Sequence, residues 1–359
     1  MKLTMNARRI VVRNGGLRAK AIKNKHIKYE VNTVKVFLTG ATGFVGSHLA
    51  ETLLAGGHQV RALLRTSSNL QWIADLKLDC FYGNLFNSQE LVAGLKDMDT
   101  VIHVAGLTKA LKNEDYYRIN YEGTRNLVDT IIQNKLPIQR FVYISSQAAA
   151  GPSDSMEPRT EADPPRPVSE YGKSKLKAEE YVLSKKDQLP ITIIRPPAVY
   201  GPRDTDIFRF FKTVRMGIIP KWQNRDKYLS FVYVKDLVQA IALAAFHPKA
   251  KNKIYFVAEP RPHSWDEVAY EALKFFKKQA IHVPIPLALV KSIAFFSEQW
   301  SKITKKPSII NQQKVAELLP DFWICSPQKI KKDLGFEAPT PLSKGVPETL
   351  QWYLEQGWL

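Results

Sequence analysis

Short apolar runs rich in β-branched and aromatic residues alternate along this chain with longer stretches whose apolar positions recur every three or four residues. From Val34, VKVFLTG reads as a buried strand followed by the glycine-punctuated turn ATGFVG. A helix with Leu49, Leu53 and Leu54 on one side comes next and stops at Gly56-Gly57. VRALLR, DCFYG, TVIHVAG, RFVYISS, ITIIRP and IYFVA continue the strand series, with a long helix around Tyr117–Gln133 after TVIHVAG. Strands separated by helices predict right-handed βαβ units in an α/β fold with a doubly wound parallel sheet. In such a fold the first strand-to-helix turn is where a ligand sits.

After about residue 200 prolines and aromatics thicken and helices replace strands. SWDE at 264–267 is a capping box for a helix through Phe276, and a helix begun at Ser326-Pro327 ends at Gly335. The pattern predicts a Rossmann nucleotide-binding domain over about 34–200 and 230–260. A smaller, mostly helical substrate domain takes about 201–229 and 261–359.

Composition changes the picture little, and charge changes it at one end. A chain of 359 residues with 45 % hydrophobic content can bury a large core. Its net charge of +18 is concentrated at the start: residues 1–33 hold nine Lys and Arg against Glu30, a net of +8. The rest is spread among mixed-sign helices, which argues against nucleic-acid binding. The basic head lacks an apolar signal region. It reads as an overextended start, and less readily as an RNA- or membrane-touching tail or a targeting segment. Cys80 and Cys325 form no disulfide or metal pattern, so no metal is assigned and a reducing, cytoplasmic setting is expected. Ile281–Phe296 is too short to span a membrane and is broken by two prolines and Lys291, but it suits a surface-seeking helix in peripheral membrane contact.

Three places carry chemistry. Gly40, Gly43 and Gly46 follow a strand and open a helix: Gly40 makes the tight turn, Gly43 lets backbone amides approach a pyrophosphate, and Gly46 allows close helix–strand packing. The second strand ends at Arg65, with Arg61 nearby and no acid to take a ribose hydroxyl. Arginine there suits a 2′-phosphate, so NADP is expected in preference to NAD. Tyr171 and Lys175 stand at i,i+4 just after PPRPVSE. A helix starting near Tyr171 puts both on one face, and an ammonium beside the phenol would lower its pKa toward usable acid/base chemistry.

The glycine turn, the Tyr171/Lys175 pair and a serine after RFVYIS, in this order, resemble the extended short-chain dehydrogenase/reductases in their NAD-dependent epimerase/dehydratase branch. The likeness runs from Val34 to Leu359. It implies a TGxxGxxG loop of Gly40, Thr42, Gly43, Phe44, Val45 and Gly46 at the pyrophosphate. It also implies Asn84 and Leu85 beside the adenine, and Val104, Ala105 and Gly106 along the adenosine ribose. Pro197 and Val199 fall at the nicotinamide. By the same resemblance Ser146 is the catalytic serine, with Ser145 as the alternative register, and Asn120 supports the site. Tyr171 is the acid/base and Lys175 its partner, also holding the nicotinamide ribose. The resemblance further implies a homodimer formed by the helices after Tyr171 and Asn120. The apolar set Ile119, Leu127, Val128, Ile131 and Ile132, wider than one stripe needs, is consistent with it.

Substrate class divides the family. Nucleotide-sugar epimerases commonly carry an asparagine where this chain has Ala198, and an arginine near the diphosphate where it has Leu229. Pro284–Trp300 is apolar and is similar to the corresponding segment of hydroxysteroid dehydrogenase and dihydroflavonol reductase relatives, and it is expected over the substrate. These departures favour hydride transfer on an apolar hydroxy or keto compound. The alternatives are a nucleotide-sugar epimerase or dehydratase, if Arg203 or Lys221 replaces the missing arginine, and a non-catalytic or RNA-binding relative.

Overall fold

The computed structural model describes residues 33–222, 225–304 and 312–359. The basic head lies outside them apart from Thr33, and the chain from Thr33 to Leu359 forms one compact unit. Its first six strands are β1 (Lys35–Thr39), β2 (Gln59–Leu64), β3 (Asp79–Tyr82), β4 (Thr100–His103), β5 (Arg140–Ile144) and β6 (Ile191–Arg195). With a seventh strand, Lys253–Phe256, they build one parallel sheet in the order seventh, β6, β5, β4, β1, β2, β3. The order reverses between β1 and β4, where Leu38 lies beside Ile102. That is the switch point at which such folds bind ligands.

The period of two in each strand divides the core cleanly. Val36, Leu38, Ile102, Val142 and Ile194 face one layer, formed by Leu49 and Leu53 of helix α1 (Phe44–Ala55) and by Leu237 and Ile241 of Val234–Phe246. Phe37, Val101, Phe141, Tyr143 and Ile193 face the other, with Leu91, Leu127, Val128, Ile131, Ala178 and Val182. Leu127, Val128 and Ile131 are therefore consumed inside the subunit, which removes the ground on which they were counted toward a dimer.

Ile330 and Leu334, from the helix Gln328–Leu334, join the first sheet layer. A third core gathers Phe211, Phe231, Val268, Leu342, Leu350 and Tyr353 from the helices Ile207–Arg215, Trp265–Phe276 and Leu342–Glu355 and their neighbours. No described helix is long and apolar enough to cross a membrane.

Candidate active site

At the end of β1 the chain turns through Gly40 with φ +77°, and a Cβ there would meet the Ala105 amide at 2.6 Å. A Cβ at Gly46 would lie 2.0 Å from the Gly40 carbonyl oxygen, so α1 can start this close to β1 only with glycine. Gly43 is the N-cap of α1 and brings no side chain to its first-turn amides. A twelve-residue helix beginning uncapped at a glycine turn offers amides and the positive end of its dipole to an anion, and a dinucleotide pyrophosphate fits that cradle. Thr42 sits half-buried in the same turn.

Arg65, directly after β2, is exposed and accepts the Ser68 amide on its carbonyl (2.9 Å). Arg61 is committed elsewhere: its Nε donates to Asp79 at 2.5 Å and its Nη1 to the carbonyls of Gly94 and Lys96. It is not a second arginine for a 2′-phosphate. Asn84 lies exposed beyond β3, its Oδ1 accepting the Phe86 amide, with Leu85 beside it packed toward Gly123.

A cavity of about 520 Å³ opens beyond the turn. Of the expected residues, Phe44, Val45, Val104, Gly106, Ser146, Tyr171, Lys175, Pro197 and Val199 line it. Gly40, Thr42, Gly43, Gly46, Arg65, Asn84, Leu85, Ala105 and Asn120 do not. A larger hollow of about 680 Å³, bordered by Glu259, His263, Glu267 and Leu342, holds none of the expected residues.

Tyr171 enters the cavity from the first turn of the helix Glu170–Leu183, whose N-cap Ser169 accepts the Gly172 amide at 3.1 Å. Lys175 follows one turn later and is buried; its Nζ donates to the Ile144 carbonyl at 2.6 Å and lies 4.4 Å from the Tyr143 ring centre. The expected depression of the phenol by Lys175 does not occur. Burial pushes the Tyr171 phenol up to about 12, with the Ser146 hydroxyl pulling the other way and the Glu317 carboxylate adding to the rise. Burial also draws Lys175 down to about 7 against the opposing pull of Glu179. The ammonium thus loses much of its charge near neutrality, which weakens its hold on the phenol. Ser146 is the N-cap of Gln147–Ala150 and accepts the Ala148 amide (3.1 Å). The neighbouring Ser145 hydroxyl is buried without a partner among the described residues.

Asn120 braces the site without lining it. Its Oδ1 accepts the Leu107 amide (2.7 Å), and its Nδ2 donates to the Leu107 carbonyl and to Ser174 Oγ, both at 3.0 Å. Ser174 in turn donates to the Tyr171 carbonyl (2.7 Å). Asn120 lies in a π-helical stretch, Tyr117–Glu122, a winding often found at functional sites. Beneath it Thr124 donates to the Asn120 carbonyl (2.6 Å), so Nε2–H of His103 must donate to Thr124 (2.9 Å). Nδ1 of His103 then accepts from Thr39 (2.6 Å), whose oxygen accepts the Ala105 amide. This chain needs a neutral imidazole, and burial with Lys175 nearby holds His103 down at about 3.

The far wall of the cavity was not legible in the sequence. Gln313, Lys314, Glu317 and Leu318 of the helix Gln312–Leu318 line it, with Trp265, Lys227 and Trp323. That helix is clipped to the start of the Tyr171 helix: Ser169 Oγ donates to Glu317 and the Glu170 amide to Gln313 Oε1, both at 2.7 Å. Of the segment expected there, Pro284–Trp300, none of the described side chains, Pro284–Gln299, lines the cavity. It forms the end of a strand, Ile281–Ile285, and most of a helix, Leu287–Thr304, whose Val290 and Ala294 pack on Val315 and so back the wall from outside.

Ala198 and Leu229 do line the cavity, whereas Arg203 and Lys221 do not. Arg203 binds Glu51 (2.5 Å) and Ser47, and Lys221 pairs with Asp226 and Asp266. The cavity's own lysines are engaged as well: Lys109 with Asp206, Lys227 with Asp321 and Lys314 with Glu317.

A doubly wound sheet with a glycine turn at its switch point and a Tyr–Lys helix beside it defines a Rossmann fold of the short-chain dehydrogenase/reductase type. Residues 36–258 match the model of the NAD dependent epimerase/dehydratase family, and the chain belongs to that family. It is 29 % identical over 329 residues to a ceramide reductase of Caulobacter vibrioides, covering 90 % of this chain and 96 % of that one. It is 28 % identical over 341 residues to a 3-beta-hydroxysteroid dehydrogenase of Mycolicibacterium neoaurum, covering 89 % and 92 %. Among solved structures, MoeE5 in complex with UDP-glucuronic acid and NAD superposes with a TM-score of 0.71 at 25 % identity, over 90 % of this chain and 99 % of that one.

Proposed function

We propose that the protein is an NADP-dependent oxidoreductase that reduces an apolar keto compound to its alcohol, with Tyr171 as the proton donor. The observation that carries the substrate class is the lining of the cavity. Leu229, where an epimerase commonly has an arginine near the diphosphate, and Ala198, where it commonly has an asparagine, both line it, and each cavity lysine is already engaged. A diphosphate would have to break one of these pairings, at a cost of about 1–3 kcal/mol or more for each charged group left unpaired. The ceramide reductase and hydroxysteroid dehydrogenase relatives, by their names, act on apolar compounds and support the same reading.

The glycine turn and the amides of α1 would hold the pyrophosphate, Arg65 the 2′-phosphate, and Pro197 and Val199 would border the nicotinamide. Bound there, the nicotinamide supplies the hydride. The chain's own part concerns the substrate oxygen. Ser146 donates a hydrogen bond to it and fixes the carbonyl beside Tyr171. A phenol held at about 12 is protonated at neutral pH, the form that gives its proton to the developing alkoxide. Lys175, one turn further along the same helix and buried against the Ile144 carbonyl, would hold the nicotinamide ribose. Asn120 acts as a positioning residue, tying the loop after β4 to the helix that carries both.

Calorimetry with UDP and an NADPH absorbance assay with a panel of ketones test the substrate class together. Consumption of NADPH by apolar ketones and no UDP binding at micromolar concentration are expected. Tight UDP binding without sugar would replace the reading with a nucleotide-sugar epimerase.

A further inference from the structure

Over its described side chains, the helix Leu287–Thr304 has two apolar faces, of which the fold uses one. Val290 and Ala294 are buried against Val315. Leu289, Ile293 and Phe296 recur at i, i+4 and i+7, a single stripe turned away from that contact. They are exposed by 50 %, 44 % and 69 %, and Phe295 beside them by 50 %. Four large apolar side chains open to water on one helix make a contiguous patch of the kind that soluble chains reserve for a partner.

The surroundings state what that partner is. The helix hangs from the strand Ile281–Ile285, which pairs with Ile218–Trp222. At the strand's start Ile281 is 68 % exposed, and its amide ties it to Gly217, next to Met216 at 65 %. Lys212, Arg215, Lys277 and Lys278 are close in sequence to Met216 and Ile281, and Lys291 is on the helix itself; none is ion-paired to a carboxylate among the described residues, although Lys278 Nζ donates to the Arg215 carbonyl (3.1 Å). The carboxylates nearby do not cancel them: Asp266 is shared by Lys221 and His282, and Glu298 is half-buried within the helix. Exposed apolar residues on a strand and helix whose flanking cations are free of carboxylate partners match an anionic phospholipid surface, with headgroups for the lysines and acyl chains for the stripe. A second copy of this chain would bring the same cations against themselves, which disfavours self-pairing.

We propose that the helix Leu287–Thr304, with the strand that leads into it, docks in the plane of an anionic lipid surface. At eighteen residues it is about 27 Å long and lies flat on the surface. Its inner face rests on the helix Gln312–Leu318, which forms the cavity wall, so docking sets the cavity within one helix layer of the lipid. An apolar substrate would then reach the cavity directly from the surface in which it dissolves. That last step rests on the substrate class proposed above; the docking does not.

Sedimentation of the full chain with vesicles tests it, using phosphatidylcholine alone and phosphatidylcholine mixed with phosphatidylglycerol. The wild type is expected to pellet with the mixed vesicles and to be released by salt. The double substitution Ile293→Glu with Phe296→Glu should weaken binding at least about a hundredfold, as each lost apolar anchor is worth roughly a factor of ten or more. Lys277→Glu with Lys278→Glu should weaken it only on the anionic vesicles. Both pairs lie on the outer surface, so urea midpoints and turnover on a water-soluble ketone should stay at wild-type values. The assay needs no turnover and stands apart from the substrate reading. A wild type left in the supernatant, equal binding to neutral vesicles, or a double variant that pellets unchanged would overturn the proposal. So would light scattering that shows a wild-type dimer split by the Ile293/Phe296 substitutions without vesicle binding.

Discussion

Acid should unfold this protein partly through one histidine that touches no ligand. His103 is fully buried between Thr39 and Thr124, with the Phe141 and Tyr143 rings at 6.2 and 5.8 Å, and its pKa falls from the usual 6.5 to about 3. The folded-state value lies below that of the unfolded chain, so the unfolded chain takes up the proton first as pH falls. The stability that a neutral His103 gives is complete above about pH 6.5 and is lost progressively toward about pH 3. At about pH 4.5, two units below the free imidazole, the loss is roughly 2 × 1.36, or about 2.7 kcal/mol. Other buried groups titrate in this window; Asp204, raised to about 6 by burial, acts in the opposite sense. The difference between wild type and His103→Gln isolates the imidazole, because glutamine can also accept from Thr39 and donate to Thr124 without titrating. Urea midpoints from about pH 8 to 4.5 should show the wild type losing about 2–3 kcal/mol more than the variant. Parallel loss in the two proteins would refute the neutral, doubly bonded His103.

Three further outcomes follow from the same geometry. Gly46→Ala drives a methyl to 2.0 Å from the Gly40 carbonyl and should cost about 1–3 kcal/mol or more together with most of the cofactor affinity, whereas Gly57→Ala, with nothing within 4 Å of the new Cβ, should leave that affinity unchanged in a fluorescence titration. Glu179→Gln breaks a bidentate pair with Arg195 in which both side chains are almost fully buried, and should destabilise by about 3–5 kcal/mol in urea. Arg65→Ala should weaken NADPH about tenfold or more while leaving NADH nearly unchanged; equal losses for both would remove the 2′-phosphate contact.

What was legible in the sequence was what depends on short-range pattern. The sheet strands show as short apolar runs, β-branched where the parallel sheet is buried on both faces, and aromatic in the exposed edge strand β3, DCFY. Ser264 caps Trp265–Phe276 and Gly335 ends Gln328–Leu334 as their local chemistry requires. The glycine turn was readable because backbone approach within about 3 Å leaves no other residue possible. Tertiary placement was not. Pro284–Trp300 is apolar whereas Gln312–Leu318, QQKVAEL, is mostly polar, and nothing local says that the second forms the cavity wall and the first its outer backing. Arg61 and Arg65 look alike in VRALLR, yet a carboxylate from the next strand takes Arg61. The Tyr171 pKa was misjudged for a similar reason: burial of both members of the pair, a global property, outweighs the i,i+4 proximity that sequence shows.

The central claim is that Tyr171 delivers the proton in a hydride transfer to an apolar ketone. Its most direct test is NADPH absorbance with such ketones for wild type and Tyr171→Phe, with cofactor affinity measured in parallel. Turnover should fall by roughly 10²–10⁴-fold, the usual worth of a general acid, while the dissociation constant for NADPH stays within a few-fold. A Tyr171→Phe enzyme that turns over within a few-fold of wild type would contradict the account, as would a wild type inert toward ketones that interconverts a nucleotide sugar.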